Sequence, residues 1–386
     1  MPMNKNMKIR CLSYGWLLSA VWLIGCTTDD GDGSADNAGP APIVFDVSTE
    51  GTQPQTTRGM LQNSLDGEFG LLCTKYQGTA WGENDEDEYM MYNEMVMGSG
   101  SSWQTAEGYF VPESSYKLKF YAYYPFYDDV NGTSPIVMSA KTYRGVPYFD
   151  YTMPANALEQ QDLMYAISNE MHADAQKKLE VVRLNFKHLL TAVTIAVGNC
   201  AESGTVRRVT LTNIYNKGRF RYSGTTLVSN NDEGKIDLYS DIDMKVTAGL
   251  GYTVADDKKS FLIIPQSELN PNASLKIQYE VSNKIYEFST KLNALTSSLV
   301  GTPKNILLRL SVVSLQRMRV EAIVTDWISG ANFDGAVSDQ PVLELEALLT
   351  DWSDVSTDGD NTKTDIKTGP NPTVTGYGAE SSSSEP

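Results

Sequence analysis

A chain of 386 residues with 31 basic and 48 acidic side chains carries a net charge of −17. An acid excess of this size argues against nucleic acid or anionic lipid as a partner, because both need a basic footprint. Four cysteines are too few for a disulfide framework. Abundant tyrosine, frequent Gly and Pro and the lack of long helical periodicity point to β-sandwich architecture.

The N-terminus has three parts in order. Lys5, Lys8 and Arg10 form a positive segment, and no acidic residue precedes Asp29. An apolar stretch from about Leu12 to Ile24 follows; it is shorter than the ~20 residues that span a bilayer and has the length of a signal-peptide core. Leu23-Ile24-Gly25-Cys26 then resembles the lipobox of bacterial lipoproteins, with a small residue before the cut and a thiol to accept the diacylglyceryl group. Residues 1–25 are therefore expected to leave as a signal peptide, and Cys26 to be lipidated and held on a membrane surface. Each acyl methylene buried contributes about 0.8 kcal/mol to that anchoring. Loss of Lys5, Lys8 and Arg10 leaves 28 basic against 48 acidic residues, a net charge of −20. Thr27-Thr28-Asp29-Asp30-Gly31-Asp32-Gly33-Ser34-Ala35-Asp36 is too polar to bury a core and reads as a flexible tether. It also resembles the acidic export signal of surface lipoproteins of Bacteroidetes, and a solvated linker has the same composition.

Ile43, Phe45 and Val47 alternate with polar neighbours, the pattern of a strand with one buried face. Arg58-Gly59 closes the polar stretch that follows. Further strands are expected at Phe69–Thr74, Glu88–Met97 and Leu118–Pro125, then at 162–167, 181–197 and Val206–Ile214. Phe261–Gln266, Leu275–Val281, Ile306–Val312 and Val320–Trp327 complete the set. Their short length and regular turn signals suit antiparallel sandwiches. The aperiodic polar stretch 168–180 suggests the break between two halves. The acidic run Glu83–Glu88 lacks the glycine and alternate-position ligands of a calcium loop and reads as a solvated loop.

In order and spacing these pieces resemble the fimbrillin-like family of Bacteroidetes, the subunits and accessory proteins of type V pili. The landmarks are Cys26, Ile43–Val47, Thr57-Arg58-Gly59, Phe120–Pro125, Asp162-Leu163-Met164-Tyr165-Ala166, Leu184-Asn185-Phe186-Lys187-His188, Ile263-Ile264-Pro265-Gln266 and Val324-Thr325-Asp326-Trp327. The resemblance implies an all-β chain of two tandem transthyretin-like β-sandwich domains, here 59–175 and 176–333. It also implies residence at the outer membrane and cell surface as a fimbrium component. A cut between Arg58 and Gly59 would then discard residues 26–58, the tether and first strand. The partners it implies are other copies of this chain or related pilus subunits, one of which fills the vacated groove with a strand. An exposed polar loop is where nicking concentrates, and an open sheet edge is a template for β-augmentation.

One feature needs no family. Val320-Glu321-Ala322-Ile323-Val324-Thr325-Asp326-Trp327 recurs as Leu345-Glu346-Ala347-Leu348-Leu349-Thr350-Asp351-Trp352, with five of eight positions identical. The second copy makes Leu343, Leu345, Ala347 and Leu349 one face of an additional strand. It is a candidate donor for a neighbouring subunit, or else a further strand of its own domain. Residues 334–386 thus comprise this strand and an acidic, Ser/Thr/Gly-rich tail expected to be disordered.

No catalytic constellation emerges, and no cofactor or metal is expected. His172 falls in a polar stretch, and His188 between Phe186 and Leu189 reads as a hydrogen-bonded structural residue. Neither His-Glu-x-x-His nor Cys-x-x-Cys occurs, and no phosphate loop follows a strand. Cys73 and Cys200 are expected to be buried singly. The alternative to a pilus stalk subunit is a non-polymerising surface lipoprotein, an anchor, a tip or a glycan-binding adhesin using exposed aromatics such as Trp81 or Trp103.

Overall fold

The computed structural model describes residues 43–49, 65–100, 102–105, 107–128, 132–172, 179–230, 234–325 and 342–355. In chain order the first strands are β1 (Phe45–Thr49), β2 (Asp66–Tyr76), β3 (Glu88–Ser99), β4 (Ser102–Thr105) and β5 (Lys117–Tyr124). Next come β6 (Ile136–Met138), β7 (Tyr148–Thr152), β8 (Met164–Ile167), β9 (Met171–His172), β10 (Val182–His188) and β11 (Thr191–Val197). They are followed by β12 (Gly204–Tyr215), β13 (Lys217–Arg221), β14 (Val228–Ser229), β15 (Lys235–Val246), β16 (Thr253–Val254) and β17 (Phe261–Ile263). The last are β18 (Ser274–Val281), β19 (Lys284–Lys291), β20 (Asn305–Ser314), β21 (Arg317–Thr325) and β22 (Val342–Asp354). One four-residue helix, Thr296–Leu299, interrupts them. The protein is all-β, as the sequence indicates.

The strands form three sheets. The first has the order β1-β10-β8-β5-β2-β3-β4, with β9 beside β5. The second has the order β15-β12-β18-β19-β22-β21-β20-β11-β16, with β17 beside β11. A small third sheet, β14-β13-β7-β6, draws two strands from each half of the chain. Local pattern explains the placements. β10 buries every second residue, Val182, Leu184, Phe186 and His188, as a strand over a one-sided core must. β11 is buried at all seven positions and pairs in parallel with β20, which suits a near-continuous apolar run.

Two cores result. The smaller lies on one face of the first sheet and contains Phe69, Phe120, Leu184 and Phe186. The larger takes the opposite face of that sheet through Leu72, Tyr121 and Tyr123. Phe149 and Phe220 of the small sheet join it, as do Ile195, Val209, Ile277 and Leu310 of the second sheet. The two halves therefore share a core. The first sheet also keeps β10, so the chain passes from the first sheet to the second between His188 and Thr191. Within the polar stretch 168–180, β9 pairs with β5 of the first sheet.

Candidate assembly site: the seat of the first strand

β1 alternates as its sequence indicates: Ile43, Phe45 and Thr49 are buried and Val47 half-buried, whereas Val44, Asp46 and Ser48 are exposed. Among the described residues β1 has one ladder partner, β10, and runs parallel to it with Phe45 opposite Val182, Val47 opposite Leu184 and Thr49 opposite Phe186. Ser48 Oγ donates to Asn185 Oδ1 at 3.2 Å along the same edge. On the other flank Ile43 N donates to Tyr109 O at 3.3 Å. The strand therefore fills a slot between β10 and the segment after β4. Its deepest side chain, Phe45, is 2% exposed and meets Phe120 edge-on, with ring centroids 6.0 Å apart. Below it Phe69 contacts Phe186 at 5.2 Å and Trp103 at 5.3 Å.

Burying a side chain such as Phe or Ile contributes about 1.5–3 kcal/mol. Without β1, the edge of β10 and the apolar floor around Phe120 would face solvent, in the form that invites strand addition. Any cut after Arg58 separates β1 from the rest of the chain. Cys26, Arg58 and Gly59 themselves lie outside the described residues. The sequence named Leu184–Phe186 as a landmark without showing what it faces. The parallel ladder to β1 joins residues more than 130 positions apart, and alternation at Val182, Leu184 and Phe186 was the only available hint. Val181, read as part of the apolar segment, is exposed, and burial begins at Val182.

β22 is the second candidate element. It sits inside the second sheet, antiparallel to β21 on one side and to β19 on the other. Leu345 and Ala347 are buried, and Leu343 and Leu349 half-buried, against the larger core. The two copies of the repeat are neighbours, with Val320 directly opposite Leu345. On the exposed side Arg317 Nε lies 3.1 Å from Glu346 Oε1. At the strand's end Lys284 Nζ stands 4.6 Å from the Trp352 ring centroid.

Other landmarks are structural. His188 Nδ1 lies 2.8 Å from Asp162 Oδ2, with both side chains buried, which ties β10 to the start of β8. The buried Gln266 side chain accepts from Tyr215 N at 3.0 Å and donates to Tyr215 O at 3.0 Å and Ile264 O at 2.7 Å. Cys73 and Cys200 are free and buried, and burial pushes the Cys73 thiol well above its ordinary range. His172 is exposed.

In the acidic loop, Glu83 accepts from Thr79 Oγ1 at 2.7 Å and from the Thr79 and Ala80 N–H groups, which hold its carboxyl below the usual range. Asp87 is buried and accepts from Gly82 N at 2.8 Å. Among the described residues no three His, Cys, Asp or Glu side chains converge to hold a metal. Trp103 corrects the expectation of an exposed aromatic: it is 6% exposed and packed on Phe69, because its strand folds over the smaller core. Trp81 is half-buried, stacked edge-on against Tyr76 and Tyr89.

Two β-cores and a first strand seated in a slot describe a protein built almost wholly of strands. The chain belongs to the fimbrillin-like family, whose profile matches residues 60–327. The matched span excludes both β1 and β22. Among curated relatives, the fimbrium subunit Fim1C of Phocaeicola vulgatus is 23% identical over 304 residues, covering 68% of this chain and 79% of that protein. Among solved structures, a fimbrial protein from Bacteroides vulgatus aligns with a TM-score of 0.51 at 16% identity, covering 74% of this chain and 99% of that one. The fimbrial anchor protein Mfa2 from Porphyromonas gingivalis aligns with a TM-score of 0.34 at 12% identity, covering 74% and 98%.

Proposed function

We propose that this chain is a structural subunit of a fimbrillin-like pilus, exported as a lipoprotein through Cys26, cut after Arg58 and assembled by strand exchange at the cell surface. The observation that carries the reading is the seat of β1: an edge strand with a single parallel ladder, yet with Phe45 set into the core. A strand so placed closes the core in the monomer and can be separated from the rest by one cut. The family match supports this, since it begins at residue 60, just past Arg58-Gly59.

The groove left behind takes apolar side chains at every second position. Leu343, Leu345, Ala347 and Leu349 of a second copy repeat the spacing of Ile43, Phe45 and Val47, so β22 is the strand proposed to enter. Leaving its own sheet costs β22 two ladders, and exchange is therefore expected to be slow and cooperative. The test is an Arg58→Ala variant under mild trypsin. The natural chain should yield a product starting at Gly59 that polymerises, and the variant should keep β1 and remain monomeric. Polymerisation of the variant with β1 intact would overturn the reading.

A second reading rests on one observation, the ladders on both sides of β22. A subunit whose last strand stays at home would accept a strand without lending one, as an anchor or tip does.

A further inference from the structure

Five of the cationic side chains of this acidic protein gather on one face away from the groove. Residues 139–148 carry Lys141 and Arg144 without an acid, and residues 217–225 carry Lys217, Arg219 and Arg221 without an acid. The pairing of β7 with β13 brings these segments together, with Arg221 opposite Tyr148 and Arg219 opposite Asp150. Alternation on β13 buries Phe220 and turns Lys217, Arg219 and Arg221 outward.

The cations are held over rings. Arg219 stands 4.2 Å and Arg221 5.3 Å from the Tyr148 ring centroid, Arg144 5.6 Å from that of Trp81, and Lys141 6.0 Å from that of Tyr92. Arg219 also grips Asp150 with two bonds, at 2.6 and 2.7 Å. A guanidinium over a ring keeps its N–H edge available to a second group. Beside them Tyr143, 36% exposed, packs edge-on to Tyr148 at 5.3 Å.

The surface is preformed. Trp81 Nε1 donates to Gly145 O at 3.0 Å, Tyr92 Oη to Ser139 O at 2.8 Å, and Tyr143 N to Ala140 O at 2.8 Å. Gly82, at φ +89°, lies so close to the Arg144 carbonyl that a Cβ there would overlap it. In the adjoining loop Glu83, Asp85 and Glu86 are exposed acids, Glu83 bonded to that loop's own backbone, and Asp87 is buried against it. At physiological salt, charges beyond about 8 Å are largely screened, so the charges of this face and its neighbouring loop matter here more than the acid excess elsewhere.

We propose that this face binds a glycan carrying carboxylate sugars, with Arg144 and Arg221 gripping carboxylates and Tyr143 receiving the C–H face of a ring. The combination selects the ligand class. A neutral sugar offers no anion to the guanidinium forks, and a purely acidic peptide such as poly-glutamate offers no flat apolar face to the tyrosine. A uronate-bearing oligosaccharide offers both, and the rigid loop means little ordering cost on binding.

The experiment titrates the full mature chain with oligogalacturonate at physiological salt, alongside a neutral malto-oligosaccharide, poly-glutamate and a DNA oligonucleotide. Saturable binding of oligogalacturonate alone is expected, at least tenfold weaker in Arg144→Gln/Arg221→Gln and in Tyr143→Ala. The distant pair Lys245→Gln/Lys258→Gln, both exposed, should bind as the natural chain does. All three variants change exposed side chains, and thermal unfolding checks their fold. No binding, equal binding of poly-glutamate or DNA, or equal loss in the distant pair would overturn the proposal. Its outcome is independent of polymerisation, which the Arg58→Ala variant reads separately.

Discussion

Phe45, on a strand at the edge of the first sheet, meets Phe120, near its middle, with rings almost perpendicular at 87°. The edge strand proposed for removal is thus anchored in the core it closes. Phe45→Ala in the uncut chain is expected to lower stability by about 3 kcal/mol, the low end for a buried aromatic. Val44→Ala, on the exposed side, should stay within about 0.5 kcal/mol. Denaturant unfolding measures both, and equal effects would contradict the described seat.

Val320 and Leu345 are opposite one another on antiparallel strands, at a Cα separation that a disulfide can bridge. Val320→Cys/Leu345→Cys, once oxidised, holds β22 at home. Cleaved and oxidised protein should remain monomeric, and reduction should restore assembly. If the oxidised form assembles as fast as the reduced one, β22 is not the strand exchanged.

Asp162 and His188 form a pair that the core surrounds. Removing one partner of a buried polar pair leaves the other without its hydrogen bond, which commonly costs about 1–3 kcal/mol. Asp162→Ala should therefore lower stability by about 1–3 kcal/mol in chemical denaturation. A change within about 0.5 kcal/mol would mean that the contact is incidental.

Burial raises many phenols here, Tyr151 and Tyr222 among them, and pushes Tyr89 from an ordinary value near 10 up to about 12. A raised phenol binds its proton more tightly in the folded than in the unfolded state. The stability it contributes is complete below about pH 10 and is lost as pH rises through the folded value. Melting temperature should therefore fall steeply above pH 10, with phenolate absorbance lagging behind that of free tyrosine. Full ionisation of the folded protein near pH 10 would contradict the burial.

Alternation made much of the fold legible. Ile43, Phe45 and Val47 face one core, and Leu275, Ile277 and Tyr279 another, as period-two patterns require. β13 was missed because Lys217-Gly218-Arg219-Phe220-Arg221 has one large apolar side chain, and only its pairing with β7 makes it a strand. β15 places Ile236, Leu238, Ile242, Met244 and Val246 at alternate positions broken by Ser240, a pattern legible in the sequence. A polar stretch such as 168–180 marks a connection without saying whether it joins two cores or two strands of one sheet. Which strand lies beside β1 rests on long-range pairing that no local pattern encodes.

The most direct test of the central claim is the N-terminal sequence and intact mass of the protein recovered from polymers after mild trypsin treatment. The account predicts subunits that begin at Gly59, lack the 43–49 strand and run as a ladder on a gel without boiling. Polymers whose subunits retain Ile43, Phe45 and Val47, or a cut protein that stays monomeric, would contradict it.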